Sequence, residues 1–359
     1  MNIALQRLHN QLVTRQPFGH PAEVAGWLGA VQAQDYLGAL WALGLRLPRA
    51  TEASMEQAIA DRALIRTWPM RSTLHFVAPG DVRWMLQLLA PRIIAGSAGR
   101  YRQLELNEAV FARCQELFQQ ALQGGKQLTR PELYRVLAQA HIPTANGRGL
   151  HILGHLAQKG LICFGPRRGK QPTFTLLEEW VPPAPARDRE EALAELARRY
   201  FRSHGPATGH DFAWWSGLRL ADARLGIALA AGALAKEVTG GQTYWFAPSV
   251  PLAPDAPPAV FLLPDFDEYT VAYRDRSAIL DARFAKRLNA GGGILNPVMV
   301  AGGQVAGTWK RKRKPRAVAL TLHPFKAMPA SQVEAFSAAA RRYGEFLNLP
   351  VELSWQAPA

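Results

Sequence analysis

The sequence predicts an α+β fold in which pairs of short helices alternate with β-hairpins and a strand-rich region follows. Three observations support this prediction. Residues 126–180 carry the order helix, helix, strand, basic turn, strand. Looser versions of that order occur before and after it, and strand patterns replace helical ones after Pro258. With 359 residues, 48% of them hydrophobic and 19% charged, the chain is long and apolar enough to bury several cores.

The two helices within residues 126–180 are predicted from capping and periodicity. Thr129 and Glu132 have the spacing of a capping box, with Pro131 in the first turn, so a helix should run to about Ala140. A second helix is predicted by apolar residues at helical spacing: Leu150, Leu153, Leu156 and Ala157. It should end at Lys159-Gly160, a typical helix stop.

A hairpin is predicted directly after these helices. Short apolar runs lie on either side of residues 165–170, a turn whose positive charge comes from Arg167, Arg168 and Lys170. Helix, helix, strand, turn and strand is the order of a winged helix. Any small helix-plus-hairpin unit is the alternative, and the basic turn at the wing position favours the winged helix because positive charge there suits a phosphate backbone.

The whole chain is therefore predicted to contain three tandem winged-helix motifs and a C-terminal small β-barrel. The first motif is the least regular and is followed by a long helical stretch. Proline-rich boundaries are expected at 182–185 and 248–258, and a helix from Ser331 to Phe346 should close the barrel. The four predicted regions are 1–125, 126–187, 188–258 and 259–359.

The charge of the chain favours a polyanionic partner. The formal net charge is +14 and the isoelectric point is about 10.2. The excess is concentrated, because residues 126–187 carry 9 basic and 3 acidic side chains and residues 259–326 carry 12 and 5. Nucleic acid is the partner that such patches predict. A basic protein without such a partner is the alternative that total charge leaves open.

Several other classes of protein are disfavoured by the sequence. Cys114 and Cys163 stand alone, and no Cys/His cluster suggests a zinc site. The longest apolar run, Gly226–Ala235, is too short to span a bilayer. We expect a cytoplasmic protein without metal or cofactor. The cluster of Asp265, Asp267 and Glu268 is expected to be structural and bonded to Arg274 or Arg276.

Gln32 and Gln34 are the most informative residues of the chain. They place two uncharged amides in an otherwise apolar segment, and burying an unpaired amide costs about 1–3 kcal/mol. In an extended segment, positions i and i+2 face the same side, so both amides could point at one ligand. A pair of ordinary glutamines at the edge of a core is the alternative.

These glutamines belong to an ordered set of motifs that resembles the AlkZ-type winged-helix DNA glycosylases, a family with a catalytic Gln-x-Gln near the N-terminus. The set spans the chain and comprises Gln32-Ala33-Gln34, Leu40–Arg46, Trp68–His75, Leu262–Tyr269, Tyr273–Arg276, Asn296-Pro297 and Gly303–Trp309. The resemblance implies three winged helices and a β-barrel arranged around DNA, catalysis by Gln32 and Gln34, excision of alkylated or crosslinked purines, and no metal.

Two amides suit a substrate whose glycosidic bond is already weakened. A purine alkylated at N7 carries a positive charge and leaves as a neutral base, so no acid is needed, and a glutamine carbonyl can position the attacking water. Asp35 is a possible auxiliary base. The sequence has no lysine near the motif, which predicts a monofunctional hydrolase that leaves an abasic site.

The expected partner is duplex DNA carrying alkylated purines, bound by a monomer. Arg71 and the wing residues Arg167, Arg168 and Lys170 are candidate phosphate contacts, and His75 is a possible auxiliary residue whose alternative is a hydrogen-bonded structural histidine. The run after Gly307 should form a basic hairpin at a DNA groove, with Thr308, Trp309, Lys310, Arg311, Lys312 and Arg313 in contact. A nuclear-localisation run or a solvated loop is the alternative there.

A different class of function also fits the predicted fold. A non-enzymatic winged-helix DNA-binding protein or regulator would read undamaged DNA with the helix Leu150–Lys159. That helix offers only a few side chains that could read bases, namely His151, His155 and Gln158. This scarcity favours the glycosylase over the regulator, and structured RNA as the ligand is not excluded by charge.

Overall fold

A computed structural model of the protein describes residues 2–253, 259–291 and 293–358. Part of the predicted boundary 248–258 therefore lies outside the described residues. The chain divides into two compact units, one formed by Met1–Met55 with Leu193–Ala359 and the other by Glu56–Ala192. We call them the split unit and the central unit.

The helices of the described residues alternate with short strands along the whole chain. The α-helices are α1 (Ile3–Asn10), α2 (Pro21–Leu28), α3 (Tyr36–Gly44), α4 (Glu52–Ala60), α5 (Val82–Gly96), α6 (Ala98–Gln103), α7 (Glu108–Leu122), α8 (Arg130–Gln139), α9 (Arg148–Gln158), α10 (Leu177–Trp180), α11 (Arg189–Ser203), α12 (Gly209–Ser216), α13 (Leu220–Leu229), α14 (Glu268–Val271), α15 (Ala285–Leu288) and α16 (Ala330–Leu347). None of them combines the length and apolar composition needed to cross a bilayer.

The strands confirm an α+β fold. They are β1 (Val31–Gln32), β2 (Ile65–Met70), β3 (Thr73–Val77), β4 (Leu128–Thr129), β5 (Ile162–Arg168), β6 (Gln171–Leu176), β7 (Ala235–Thr239), β8 (Gln242–Phe246), β9 (Val260–Leu263), β10 (Asn289–Gly291), β11 (Ile294–Leu295), β12 (Val298–Ala301), β13 (Gln304–Arg313), β14 (Val318–Pro324) and β15 (Val351–Trp355).

The central unit is built on an antiparallel sheet in the order β3-β2-β5-β6-β4. Helices α7, α8 and α9 cover it through a core that includes Phe118, Leu133, Ile152 and Phe174. The predicted order helix, helix, strand, turn, strand is present as α8, α9, β5 and β6. The hairpin is longer than predicted, because β5 continues to Arg168 and β6 begins at Gln171, so only Gly169 and Lys170 form the turn.

Residues 189–246, of which 193–246 belong to the split unit, follow the predicted order of helices before a hairpin. Helices α11, α12 and α13 precede the hairpin β7–β8, whose two turn residues are Gly240 and Gly241. Both have positive φ, 59° and 75°. A tight hairpin turn of this kind needs residues that adopt positive φ without a steric cost, and glycine meets that need.

The C-terminal sheet of the split unit is open, which corrects the predicted β-barrel. Its order is β15-β14-β13-β12-β9, with β14 and β15 parallel and the other neighbours antiparallel. The described strands β9 and β15 remain as the two edges. Helix α16 packs against this sheet, where the Tyr343 ring lies 5.3 Å from that of Trp309. Its apolar side chains fill the core, so the sheet does not need to close on itself.

In the split unit, a buried ion pair joins Arg46, two residues after the end of α3, to Asp267, the residue before α14. The Arg46 guanidinium donates from Nη1 and Nη2 to Oδ2 and Oδ1 of Asp267 at 2.8 and 2.9 Å, and both side chains are fully buried. Arg46 also donates to the carbonyl oxygens of Gln11 and Ala42. A buried pair of charges is tolerated when its remaining hydrogen-bonding groups are satisfied in this way.

Candidate active site

The Gln32–Asp35 segment is fixed at both of its ends. Gln32 is the last residue of β1 and is largely buried, whereas Gln34 lies in the following bend and is exposed. Asp35 is the N-cap of α3, and its Oδ1 accepts hydrogen bonds from the backbone N–H groups of Leu37 and Gly38 at 3.1 and 3.3 Å. Such a cap satisfies two donors at the helix start and so fixes where the bend ends.

Glu268 holds the other end of the segment. Its Oε1 accepts a hydrogen bond from the Gln32 backbone N–H at 2.9 Å, and its Oε2 accepts one from the Trp215 indole N–H at 2.9 Å. The Glu268 side chain is fully buried. Nε2 of His204 lies 3.3 Å from the same Oε2, and burial lowers the pKa of His204. The backbone position of the first glutamine is thus set by a buried carboxyl group.

A second cluster lies directly beside Gln34 in sequence. The Nη2 atom of Arg311, on β13, pairs both with Oδ2 of Asp35 and with Oδ1 of Asp265, the latter at 3.2 Å. All three side chains are at most one-third exposed. We call Asp35, Asp265 and Arg311 the arginine–carboxylate cluster. It connects the bend that carries Gln34 to the basic strand and to the turn that carries Glu268.

A side chain at position 38 would crowd this cluster. A Cβ placed on Gly38 would lie 2.9 Å from Oδ1 of Asp265, 3.2 Å from Nη2 of Arg311 and 3.3 Å from Oδ2 of Asp35. Glycine therefore lets the first turn of α3 approach the three charged groups without displacing the Asp265 carboxylate.

The pKa of Asp265 is raised from 3.8 to about 6. Burial is the largest cause, the positive charge of Arg311 opposes it, and the negative charge and hydrogen bond of Asp35 add to it. Two carboxyl groups that share one guanidinium cannot both ionise as easily as an isolated one. The cluster therefore takes up or loses a proton near pH 6.

The structure corrects the predicted partners of the acidic residues 265, 267 and 268. Each of them has a partner other than the predicted Arg274 or Arg276. Asp265 pairs with Arg311, Asp267 with Arg46, and Glu268 binds the Gln32 backbone. The backbone N–H of Arg274 instead donates to Asp211 at 2.9 Å. No group of three or more His, Cys, Asp or Glu in the described part of the chain is arranged to hold a metal ion.

The basic run lies on β13 and alternates between two environments. Arg311 belongs to the arginine–carboxylate cluster, and Arg313 pairs with Glu52 at 2.7 Å. Lys310 and Lys312 are exposed. Successive side chains of a strand point to opposite faces, so Lys310 and Lys312 share one face and are open to a phosphate backbone. Arg311 and Arg313 share the other face and contact carboxylates of the protein.

Trp309 is not placed to make the predicted groove contact, whereas the contact predicted for Thr308 stays a prediction. Trp309 is fully buried, and its indole N–H donates to the carbonyl oxygen of Leu263 at 2.8 Å. A ring without exposed surface cannot contact a base or a phosphate, so the prediction for Trp309 is corrected to a core role. Thr308 is half-buried and lies opposite Val298 and His323 in the middle of the sheet.

In the central unit, Arg71 lies at the tip of the β2–β3 hairpin. Arg71 and Ser72 both have positive φ, 52° and 57°, an uncommon conformation for residues other than glycine. Nη2 of Arg71 lies 3.4 Å from Nε2 of His75, whose Nδ1 lies 3.0 Å from the carbonyl oxygen of Thr73. His75 is fully buried, which matches the structural alternative considered for it.

The wing of the central unit is less positive than its sequence suggests. Arg167 pairs with Glu56, and Arg168 donates to Glu132 at 2.9 Å. Hydrogen bonds from Thr129 are the main cause that lowers the pKa of Glu132 to about 2, so this acid is ionised at neutral pH. Lys170 is exposed at the turn. Among the residues that the structure describes, Lys170 is the one of the three predicted wing contacts that has no ion pair with an acidic side chain to compete with a phosphate.

Comparisons with known proteins identify the family. Residues 25–346 match the family model of DNA glycosylase AlkZ-like. The chain belongs to the AlkZ-like DNA glycosylase family. It is 27% identical over 97% of both chains to an interstrand DNA cross-link repair glycosylase of Streptomyces sahachiroi. The solved structure of Streptomyces sahachiroi DNA glycosylase AlkZ has the same fold, with a TM-score of 0.80, 24% identity and 98% of each chain covered.

Membership of this family makes the protein an enzyme that cleaves N-glycosidic bonds in DNA. Sequence reasoning singled out the two glutamines but missed the hydrogen bond from the Gln32 backbone to Glu268. A signal was available, because Leu262–Tyr269 is one of the motifs on which the resemblance rests, and three acids within four residues of an apolar segment need partners.

The raised pKa of Asp265 gives a testable pH dependence. The Asp265 carboxyl group binds its proton more tightly in the folded protein than in the unfolded chain. Its protonation therefore contributes fully to the free energy of unfolding below about pH 4, and this contribution is lost as the pH rises through about 6. Asp265→Asn should therefore gain stability relative to wild type, by up to about 3 kcal/mol between pH 4 and 7.5. Urea unfolding at both pH values measures it. An equal difference at both would contradict the assigned pKa.

The alternation along β13 predicts different effects of neighbouring charges on DNA binding. Lys310→Gln should reduce the negative slope of log K against log salt on undamaged duplex DNA by about 0.9, the value for one phosphate contact. Arg311→Gln should leave the slope unchanged, because that guanidinium is occupied by Asp35 and Asp265. Fluorescence anisotropy titrations at several salt concentrations provide the comparison. Equal slopes for the two variants would show that the two side chains are equivalent toward DNA.

Proposed function

We propose that this glycosylase hydrolyses the N-glycosidic bond of N7-alkylated purines with a water molecule positioned by Gln32 and Gln34. The observation that carries the proposal is the fixation of the Gln32–Asp35 segment at both ends, with Gln34 left exposed between them. Rigid placement of groups around the reacting atoms is a large part of enzymatic rate acceleration.

The chemistry of amides agrees with such a substrate. Cleavage develops positive charge on the sugar, and a glutamine carbonyl can stabilise that charge or hold a water molecule, but it is a weak base. An N7-alkylated purine needs no protonation to leave, so two amides suffice for this leaving group and would fail with a normal base. The reaction requires no metal or cofactor and leaves an abasic site.

Asp35 contributes to position rather than to proton transfer in this proposal. Its two oxygens are engaged by the start of α3 and by Arg311. These contacts occupy the oxygens with which a general base would accept a proton from water. We therefore assign water placement to the glutamines and loop placement to the arginine–carboxylate cluster.

The element order supports winged helices as the frame that binds duplex DNA. Strand β4 precedes α8 and pairs with β6, so β4, α8, α9, β5 and β6 follow the chain order of a winged helix. We propose that this motif recurs in residues 1–80 and 188–258, that the exposed Lys170, Lys310 and Lys312 contact phosphates, and that the protein acts as a monomer.

A bulky adduct is included in the proposed substrate range. The Streptomyces relative is named for interstrand cross-link repair, and the chain covers nearly all of it. We propose that this protein also unhooks crosslinked purines. Gln34 is exposed, so a large adduct can approach it without entering a closed pocket.

The structure weakens the rival regulator. Two of the three candidate base-reading side chains on α9 are buried, His155 and Gln158. The His155 ring stacks on Phe111 at 3.6 Å, and burial lowers its pKa to about 4. These side chains belong to the core of the central unit, so α9 has little left with which to read sequence.

The proposal is tested by base release from duplex DNA that contains N7-methylguanine. Wild type should release the base under single-turnover conditions, and Gln32→Ala and Gln34→Ala should each reduce the rate by about 10²-fold or more, the size typical of lost positioning. The matched control is Gln119→Ala, on the exposed face of α7, which should behave as wild type. Excision by Gln34→Ala at the wild-type rate would refute the assignment.

A further inference from the structure

An open crevice of the split unit lies between α12, α13 and the hairpin β7–β8. Its volume is about 900 Å³, within the range of small-molecule sites. Trp245 of the hairpin exchanges backbone hydrogen bonds with Ala207, just before α12, at 2.8 and 3.1 Å. These bonds fix the hairpin against the helix start, so the crevice has rigid walls. No residue of the active-site segment lines it.

Three cations from three different elements surround the crevice. Arg224 comes from α13, Lys236 from β7 and Arg274 from the loop after α14. All three are exposed. None of them has an acidic partner within 4.0 Å among the described residues. Arg274 instead has Nη1 3.5 Å from Nδ1 of His210, another residue of the crevice wall. Unpaired cations that converge on one cavity favour an anionic ligand.

The acids of the wall are occupied by the protein. Asp211 is almost fully buried and accepts hydrogen bonds from Thr208 and from the backbone N–H groups of Arg274 and Asp275. Its carboxylate also lies 3.9 Å from a guanidinium nitrogen of Arg7. Asp275 accepts from the Ser277 backbone N–H at 2.8 Å, which is the main cause of its lowered pKa. These contacts leave the three cations as the groups available to an anion.

The same crevice has an aromatic and apolar wall. Trp245 is half-buried, and the Nζ atom of Lys236 lies 5.6 Å from its ring centroid. Leu220 and Ile227 of α13 complete this side. Apolar surface next to convergent cations is the combination that a nucleotide needs, since its phosphate is anionic and its base is a flat ring. A base paired in a duplex could not enter a concave site of this kind.

We propose that the crevice binds one unpaired nucleotide of a DNA strand. The phosphate contacts Arg224, Lys236 and Arg274, and the base packs against Trp245 and Ile227. This inference goes beyond the proposed function, because it assigns a binding site that does not depend on the catalytic glutamines. It gives the enzyme a contact with DNA whose strands are locally separated.

Binding of a fluorescein-labelled dT5 oligonucleotide to the full-length protein tests the proposal. Arg224→Glu, Lys236→Glu and Trp245→Ala should each weaken binding by at least about fivefold, the low end for one lost base stack. Arg341→Glu is the matched control, because Arg341 is an exposed arginine on α16 outside the crevice and the charge change is the same. Circular dichroism confirms folding, and the two charge reversals suffice if Trp245→Ala does not fold.

Three results would overturn the assignment. Equal losses in Arg224→Glu and Arg341→Glu would reduce it to general charge attraction. Undiminished binding by folded Trp245→Ala would remove the base from the site. Competition by free dTMP as effective as that by unlabelled dT5 would assign the crevice to mononucleotides instead of a DNA strand. Gln34→Ala is expected to bind dT5 with wild-type affinity. The binding test can therefore be distinguished from the base-release test of the glutamines.

Discussion

Glu268 accepts the backbone N–H of Gln32 on one oxygen and the indole N–H of Trp215 on the other, and no part of its side chain reaches solvent. The placement of the glutamine segment depends on this carboxyl group. A two-residue strand followed by a bend has few hydrogen bonds within itself, so contacts from other parts of the protein must fix its conformation. The buried carboxyl group of Glu268 is one such contact, and the Asp35 cap of α3 is another.

Residues 265–268 contain three acidic side chains, each of which contacts a different partner. Asp265 pairs with Arg311, Asp267 with Arg46, and Glu268 holds Gln32. Each partner comes from an element close to the glutamines or to the basic strand. The two ion pairs and the Glu268 hydrogen bond therefore have the same effect. Each of them fixes residues 265–268 relative to the elements next to the Gln32–Asp35 segment. This arrangement explains why residues far from the chemistry in sequence matter to the geometry of two amides.

Local patterns in the sequence predict much of the fold, and the errors of that prediction have identifiable causes. The capping box of Thr129 and Glu132 placed α8 correctly. Strand β15 was not predicted, because it is a short run of five residues whose side chains are not fully buried. The barrel was wrong because patterns show strands but not whether a sheet closes.

The candidate site shows a similar division. Proximity in sequence predicted that all residues of the basic run act alike, whereas the two-residue period of β13 gives Trp309 and Arg311 to the protein and Lys310 to solvent. That period was available from the sequence. The hydrogen bond between the Gln32 backbone N–H and Glu268 joins residues 236 positions apart, so no local sequence pattern could predict it. Long-range hydrogen bonds of single side chains are the part of a site that sequence reasoning reaches last.

Single-turnover base release by Glu268→Gln is the measurement that tests this account most directly. The substitution keeps the size of the side chain but replaces one acceptor by a donor, so the amide cannot accept from both Gln32 and Trp215. The account predicts a folded protein with wild-type affinity for DNA and a strongly reduced rate of base release. Trp215→Phe, which removes only the indole donor, should lose less activity. A folded Glu268→Gln variant with the wild-type rate would contradict the claim that this carboxyl group positions the catalytic glutamines.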